Sequence, residues 1–214
     1  MNKKKLKVAV TGSIGSGKSS FCNFISENGY PVINADDLSK AILKEDQEVK
    51  GKVIKEFGKE SFIKNEINKQ FLAEKAFSNP ANVIKINSIL HPRVKKKIEE
   101  LTKEYFKENE MVFIEAALIY EAEMESMFDY VVLITADYKL RKMRAIKEGK
   151  LSEEDFRKRN ENQIKDEEKR KRADFVFENN GSISELKEKT GLFISILKGL
   201  GSSLSSRSSS SLLQ

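Results

Sequence analysis

Cysteine is nearly missing: Cys22 stands alone in 214 residues, which excludes an internal disulfide, a zinc-binding cysteine spacing and a thiol pair for redox work. A reducing cytoplasm is the expected compartment. Histidine is as scarce, with His91 the only one. No apolar run is long enough to cross a bilayer. The basic start Met1-Asn2-Lys3-Lys4-Lys5 imitates the head of a signal peptide, but the apolar stretch behind it stops at Thr11-Gly12, so neither a signal peptide nor a membrane partner is expected. A guanine-reading Asn-Lys-x-Asp motif is also lacking, since Asn68-Lys69-Gln70-Phe71 has no aspartate. Residues 157–172 hold eight Lys or Arg against four Asp or Glu, yet no aromatics are interleaved with them, which speaks against a nucleic-acid surface.

What is present is enough for one sizeable core, with 39% hydrophobic residues. The formal charge of +6 suits anionic ligands, among them nucleotides, nucleic acid and acidic membranes, and does not choose between them. Short apolar runs at 6–10, 31–33, 111–115, 130–134 and 174–177 read as strands separated by helical patterns. Alternation of this kind predicts an α/β fold, a five-stranded parallel sheet with helices on both faces. One domain over residues 1–200 is expected, with a mostly helical insert at about 36–108 and a charged helix pair at about 137–172. Residues 201–214 hold eight serines and no periodicity, so this tail is expected to be disordered or of non-native origin.

Gly12-Ser13-Ile14-Gly15-Ser16-Gly17-Lys18-Ser19 fits G-x-x-x-x-G-K-[ST] in full and lies between a strand and a helix. Glycines let successive N–H groups curl inward at phosphates, and the positive end of the following helix adds to the field. Lys18 is expected at the β- and γ-phosphates of ATP, and the Ser19 hydroxyl at Mg²⁺. Asp36, at the end of the second strand, suits either proton abstraction from an acceptor hydroxyl or a water-mediated Mg²⁺ contact. Asp37 is read mainly as a helix cap. Arg144 and Arg159 have the guanidinium chemistry to clamp phosphate. The readings open at this point are a P-loop kinase for a small acceptor, such as a nucleoside or nucleotide, and a non-catalytic nucleic-acid binder.

The chain resembles the dephospho-coenzyme A kinases across nearly all of residues 6–200. The shared landmarks are residues 11–19, Ile33-Asn34-Ala35-Asp36, Leu90-His91-Pro92, Ala117-Leu118-Ile119-Tyr120-Glu121, the Arg144, Arg159 and Gln163 spacing, and Ala173-Asp174 leading into Asn179-Asn180-Gly181. The resemblance implies transfer of the γ-phosphoryl of ATP to the ribose 3′-hydroxyl of dephospho-coenzyme A, with a nucleotide core, a helical substrate region and a lid. It implies Asp36 as general base, Lys18 and Arg144 as stabilisers of the transferring charge, and Ser19 and Asp36 as metal contacts. Ser20 and Asn179 join residues 12–19 as nucleotide contacts, and His91, Glu121 and Arg159 fall to the acceptor. The chain departs from the family at Asn34, where aspartate is usual, at Ala117, where proline is usual, and at Glu148, where a second lid arginine is usual. Lys147 is the cation nearest to that last position.

Overall fold

Strands buried on both faces must be apolar on both, and the alternation of side chains then divides one run between two cores. The computed structural model describes residues 5–76, 78–147 and 151–209. Strand β1 (Leu6–Thr11) leads into helix α1 (Lys18–Glu27), β2 (Val32–Asn34), α2 (Ala35–Glu45) and α3 (Gln47–Phe57). A hairpin of β3 (Phe62–Ile63) and β4 (Glu66–Ile67) precedes α4 (Lys69–Ala76) and α5 (Pro80–Tyr105). The chain continues through β5 (Met111–Glu115), β6 (Tyr130–Thr135), α6 (Tyr138–Lys147), α7 (Glu153–Glu161), α8 (Asp166–Arg172), β7 (Phe175–Glu178) and α9 (Ile183–Ser209).

The main sheet is parallel and five-stranded, in the order β2-β5-β1-β6-β7. Leu6, Val8 and Val10 of β1, Met111 and Phe113 of β5, and Val132 and Ile134 of β6 share a core with Phe21, Cys22 and Ile25 of α1 and with Leu186, Phe193 and Leu197 of α9. The intervening residues, Ala9, Val112, Ile114, Val131 and Leu133, are buried as well, as the alternation requires. Phe193 gathers Phe21, Phe113, Phe175 and Phe177 at centroid distances of 5.2 to 6.4 Å. Burying each large apolar side chain contributes about 1.5–3 kcal/mol. Burial pushes the Cys22 thiol up, the Glu115 charge adds to this and Lys18 opposes it, so Cys22 serves as a neutral packing residue. The register sets Leu6 opposite Met111 and Val10 opposite Glu115, which brings Thr11 and Glu115 to the same carboxyl edge.

Two compact units can be told apart, one running from Asn34 to Leu101 and the other formed by the chain on either side of it. The former has its own core of Val49, Val53, Phe57, Leu72, Ala76 and Ile86.

Four local features differ from the sequence reading. The cap of α2 is Asn34, not Asp37: Asn34 is extended (φ −89°, ψ 111°) and its side-chain oxygen accepts the Asp37 N–H at 3.0 Å, which satisfies one of the otherwise unpaired first-turn donors. The insert is not wholly helical, because Lys64 and Asn65 both adopt positive φ and turn a hairpin. Residues 137–172 form three helices instead of two, broken at residues 162–165, where side chains and an amide are engaged elsewhere. Helix α9 runs on to Ser209, past the expected end at Leu200; once a helix is nucleated, each added residue costs little. The Glu148 departure lies outside the described residues.

Candidate active site

Strand β1 delivers the chain to Gly12, and from there it curls back so that the Ser16 N–H donates to Ser13 O at 3.1 Å. Gly15 (φ +77°) and Gly17 (φ +92°) are the positions where the curl needs glycine. A Cβ at Gly15 would strike the backbone of Arg141, and one at Gly17 the amide of Asn179. Gly17 is also the N-cap of α1 and offers no side chain to the helix, whose first turn holds no acidic residue. The leading N–H groups of α1 are thus left for an anion. The Ser16 hydroxyl is buried without a hydrogen-bond partner and is a further donor for an acceptor oxygen.

Glu115 closes the site from β5. It lies on the same side of that strand as Met111 and Phe113, and the side facing α1 is apolar until this last residue. Its Oε1 accepts the Ser19 hydroxyl at 2.6 Å and lies 3.6 Å from the Lys18 ammonium. Sequence reasoning missed this carboxylate. The available signal was an acidic residue ending an otherwise apolar, fully buried strand beside the phosphate loop.

Asn179, just past β7, donates to Ser16 O at 2.8 Å, and its carbonyl accepts from Arg144 Nη1 at 2.9 Å. These contacts bring Arg144, Asn179 and residues 12–20 together. Arg141, one turn before Arg144, is buried and donates to Ile14 O at 3.3 Å and to Asn160 Oδ1 at 2.8 Å. Gln163 Oε1 accepts the Ile14 N–H at 3.0 Å, and Asp166 accepts the Ser13 hydroxyl. A cavity of about 310 Å³ adjoins Ser13, with Tyr138, Arg141, Asp166, Arg170 and Asn180 in its wall. Glu121 Oε1 accepts the Ile164 N–H at 2.9 Å and lies 3.2 Å from the Lys169 ammonium. Next to it, burial pushes the Tyr120 hydroxyl up to about 12, so it stays protonated. Arg159 is exposed on α7.

Asp36 and His91 belong to the other unit. Asp36 is exposed in the first turn of α2. His91 is half-buried on α5; burial pushes its imidazole down and the Lys95 charge adds to this, which favours a neutral hydrogen-bonding ring. Among the described residues, no cluster of three or more His, Cys, Asp or Glu has metal-binding geometry, and no helix is long and apolar enough to cross a membrane.

The family profile described as dephospho-CoA kinase matches residues 6–185 of this chain. The dephospho-CoA kinase of Chlamydia abortus is 37% identical over 196 residues, covering 91% of this chain and 97% of the relative. The Listeria monocytogenes dephospho-CoA kinase is 30% identical over 189 residues, covering 87% and 94%. Among solved structures, dephospho-CoA kinase from Campylobacter jejuni has a TM-score of 0.68 at 30% identity, covering 90% of this chain and 98% of that one. The Thermus thermophilus protein TT1252 reaches a TM-score of 0.78 at 29% identity, covering 91% and 99%.

Proposed function

The chain belongs to the dephospho-CoA kinase family, and we propose on that premise how its own residues divide the work of the reaction. The reaction is ATP-dependent phosphorylation of dephospho-CoA, a small-molecule substrate, to coenzyme A. Kinases of this class use ATP with a divalent metal in general. Residues of the loop fit both: an uncapped helix start and an orphaned Ser16 hydroxyl for phosphate, a carboxylate and hydroxyl pair for a hard cation. The observation that carries the assignment is Glu115, which takes the Ser19 hydroxyl at 2.6 Å with Lys18 at 3.6 Å on the same oxygen. Ser19 and Glu115 would hold Mg²⁺, with Asp36 as a further contact through water. A magnesium ion held there would offset the negative charge that develops on the phosphate oxygens.

Residues 12–20 and Asn179 bind and orient the nucleotide. Asp36 takes the proton as the acceptor 3′-hydroxyl oxygen bonds to the γ-phosphorus and the bond to the ADP oxygen breaks. Lys18 and Arg144 neutralise charge on the transferring group, which is most of what a loose phosphoryl transfer asks of a protein. The acceptor roles fall to His91 as a hydrogen-bonding ring and to Arg159 as a cation for the anionic diphosphate, while Glu121 serves the acceptor through the segment it holds at Ile164. Residues 36–108 form the acceptor region and residues 137–172 the lid of a single kinase domain. A cytoplasmic setting fits the lone, buried thiol.

An ADP-release assay tests the whole reading. Dephospho-CoA should far exceed mononucleotides as acceptor, and equal rates would move the chain to another acceptor class. In Glu115→Gln, turnover should drop about ten- to a hundredfold at fixed Mg²⁺ and recover in part as Mg²⁺ is raised, since hydrogen bonds to a charged group are worth about 1.5–3 kcal/mol. An unchanged Mg²⁺ dependence would remove Glu115 from the metal site. Arg144→Ala should cost more turnover than Arg157→Ala, because the contact of Arg157 with Glu161 at 3.3 Å is solvent-exposed. The reverse order at saturating substrates would place the lid one register off.

A further inference from the structure

Lys169 is buried completely and takes no part in the chemistry above. Its ammonium lies 3.2 Å from Glu121 Oε1 without the alignment of a hydrogen bond, and both that ammonium and Glu121 Oε2 are buried with no hydrogen-bond partner. An ion pair left in that state is a weak source of stability, because the desolvation of two charges offsets their attraction. What the pair fixes is a position. Glu121 Oε1 also accepts the Ile164 N–H at 2.9 Å, in the turn between α7 and α8. The preceding residue, Gln163, accepts the Ile14 N–H of the phosphate loop at 3.0 Å. Asp166, at the start of α8, accepts the Ser13 hydroxyl. Arg141 completes the clasp from Ile14 O to Asn160 at the end of α7. One turn is therefore held by Glu121 on one side and holds residues 13–14 on the other.

We propose that Lys169 is a positioning residue for the nucleotide phosphate loop, acting through Glu121 and the Gln163–Ile164 turn. The proposal rests on the reading of residues 12–19 as the nucleotide site. The N–H and the C=O of Ile14 are both engaged, so its backbone cannot rotate freely, and the donors that follow from Gly15 onward inherit its orientation. Donors that need not reorganise bind phosphate better than donors that must. Without the ammonium, Glu121 keeps a buried charge with no cation beside it; the carboxylate turns toward water, Ile164 is released and Gln163 loses its place.

The test uses the full chain with Lys169→Met, measuring ADP affinity by calorimetry, KM for both substrates, and hydrogen exchange at the Ile14 amide. ADP affinity should fall about tenfold, the order expected for a loosened site, with KM for ATP rising alike, KM for dephospho-CoA rising too because Glu121 serves the acceptor through the same segment, and Ile14 exchanging faster. Adding Glu121→Gln to Lys169→Met should restore most of the affinity, because the amide oxygen still accepts the Ile164 N–H and no charge is left alone. Gln163→Ala, which removes the last link without touching the buried pair, should show the same loss and should not add to that of Lys169→Met; it decides the matter if Lys169→Met does not fold. Undiminished ADP affinity in Gln163→Ala, or additive losses in the combined variant, overturns the proposal. Lys18→Ala is measured alongside: if it loses ADP affinity and Gln163→Ala does not, only the positioning role fails, whereas if it keeps full affinity the nucleotide reading itself fails.

Discussion

Lys18→Ala should lower turnover by roughly 10²–10³-fold, the range seen when one preorganised donor to a charged transition state is removed. Ground-state binding should suffer too, since a charge-assisted hydrogen bond is worth about 1.5–3 kcal/mol. The fold should survive. Lys18 opens α1, but the helix is held by Phe21, Cys22 and Ile25, which face the sheet and α9 and do not depend on the ammonium. Glu115, 3.6 Å from the ammonium, keeps the Ser19 hydroxyl as donor in the variant. Circular dichroism and thermal melting check the fold, and a coupled ADP-release assay checks turnover. Normal turnover in a folded Lys18→Ala protein would mean that this loop is a glycine-rich turn and nothing more.

The glycine loop between β1 and α1 was legible because its geometry is local. Curling a backbone around phosphate needs glycines at set intervals, and one strand and one helix place them, so a contiguous motif carries the information. The five strands were legible for a related reason, since burial on both faces leaves continuous apolar runs. Glu115 was not, although it ends one of those runs. Its role depends on β5 lying beside β1 in the register that sets Val10 opposite Glu115, and strand order is a nonlocal property. The cap of α2 was misplaced by three residues because Asn34, Asp36 and Asp37 all have capping side chains; only the extended backbone at Asn34 selects among them. Lys169 illustrates a different blindness. In sequence it is one of eight cations in a charged stretch, most of which solvate helix faces, and only packing shows that this one is buried against Glu121.

Asp36→Asn should bind both substrates nearly normally and lose turnover by roughly 10²–10⁴-fold, the usual effect of removing a general acid or base. The substitution preserves size, and the side-chain cap of the helix comes from Asn34, whose oxygen accepts the Asp37 N–H at 3.0 Å. A stability change is therefore not expected, and a loss of rate reads on proton transfer or on a water-mediated metal contact. Asp37→Asn is the matching control. The Asp37 carboxylate pairs with Lys40 at 2.7 Å with both side chains largely exposed, and such surface pairs contribute about 0–1 kcal/mol, so turnover should hardly move. Measuring kcat across a range of Mg²⁺ concentrations separates the two roles of Asp36. A proton acceptor lost alone lowers kcat at every Mg²⁺ concentration, whereas a lost metal contact is recovered in part as Mg²⁺ rises. If Asp37→Asn is the crippled variant and Asp36→Asn turns over normally, the carboxylate assignment is off by one residue. If both variants stay active, no carboxylate at the start of α2 is essential, and the acceptor hydroxyl must give up its proton late, to the transferred phosphate or to solvent, as a loose transition state permits.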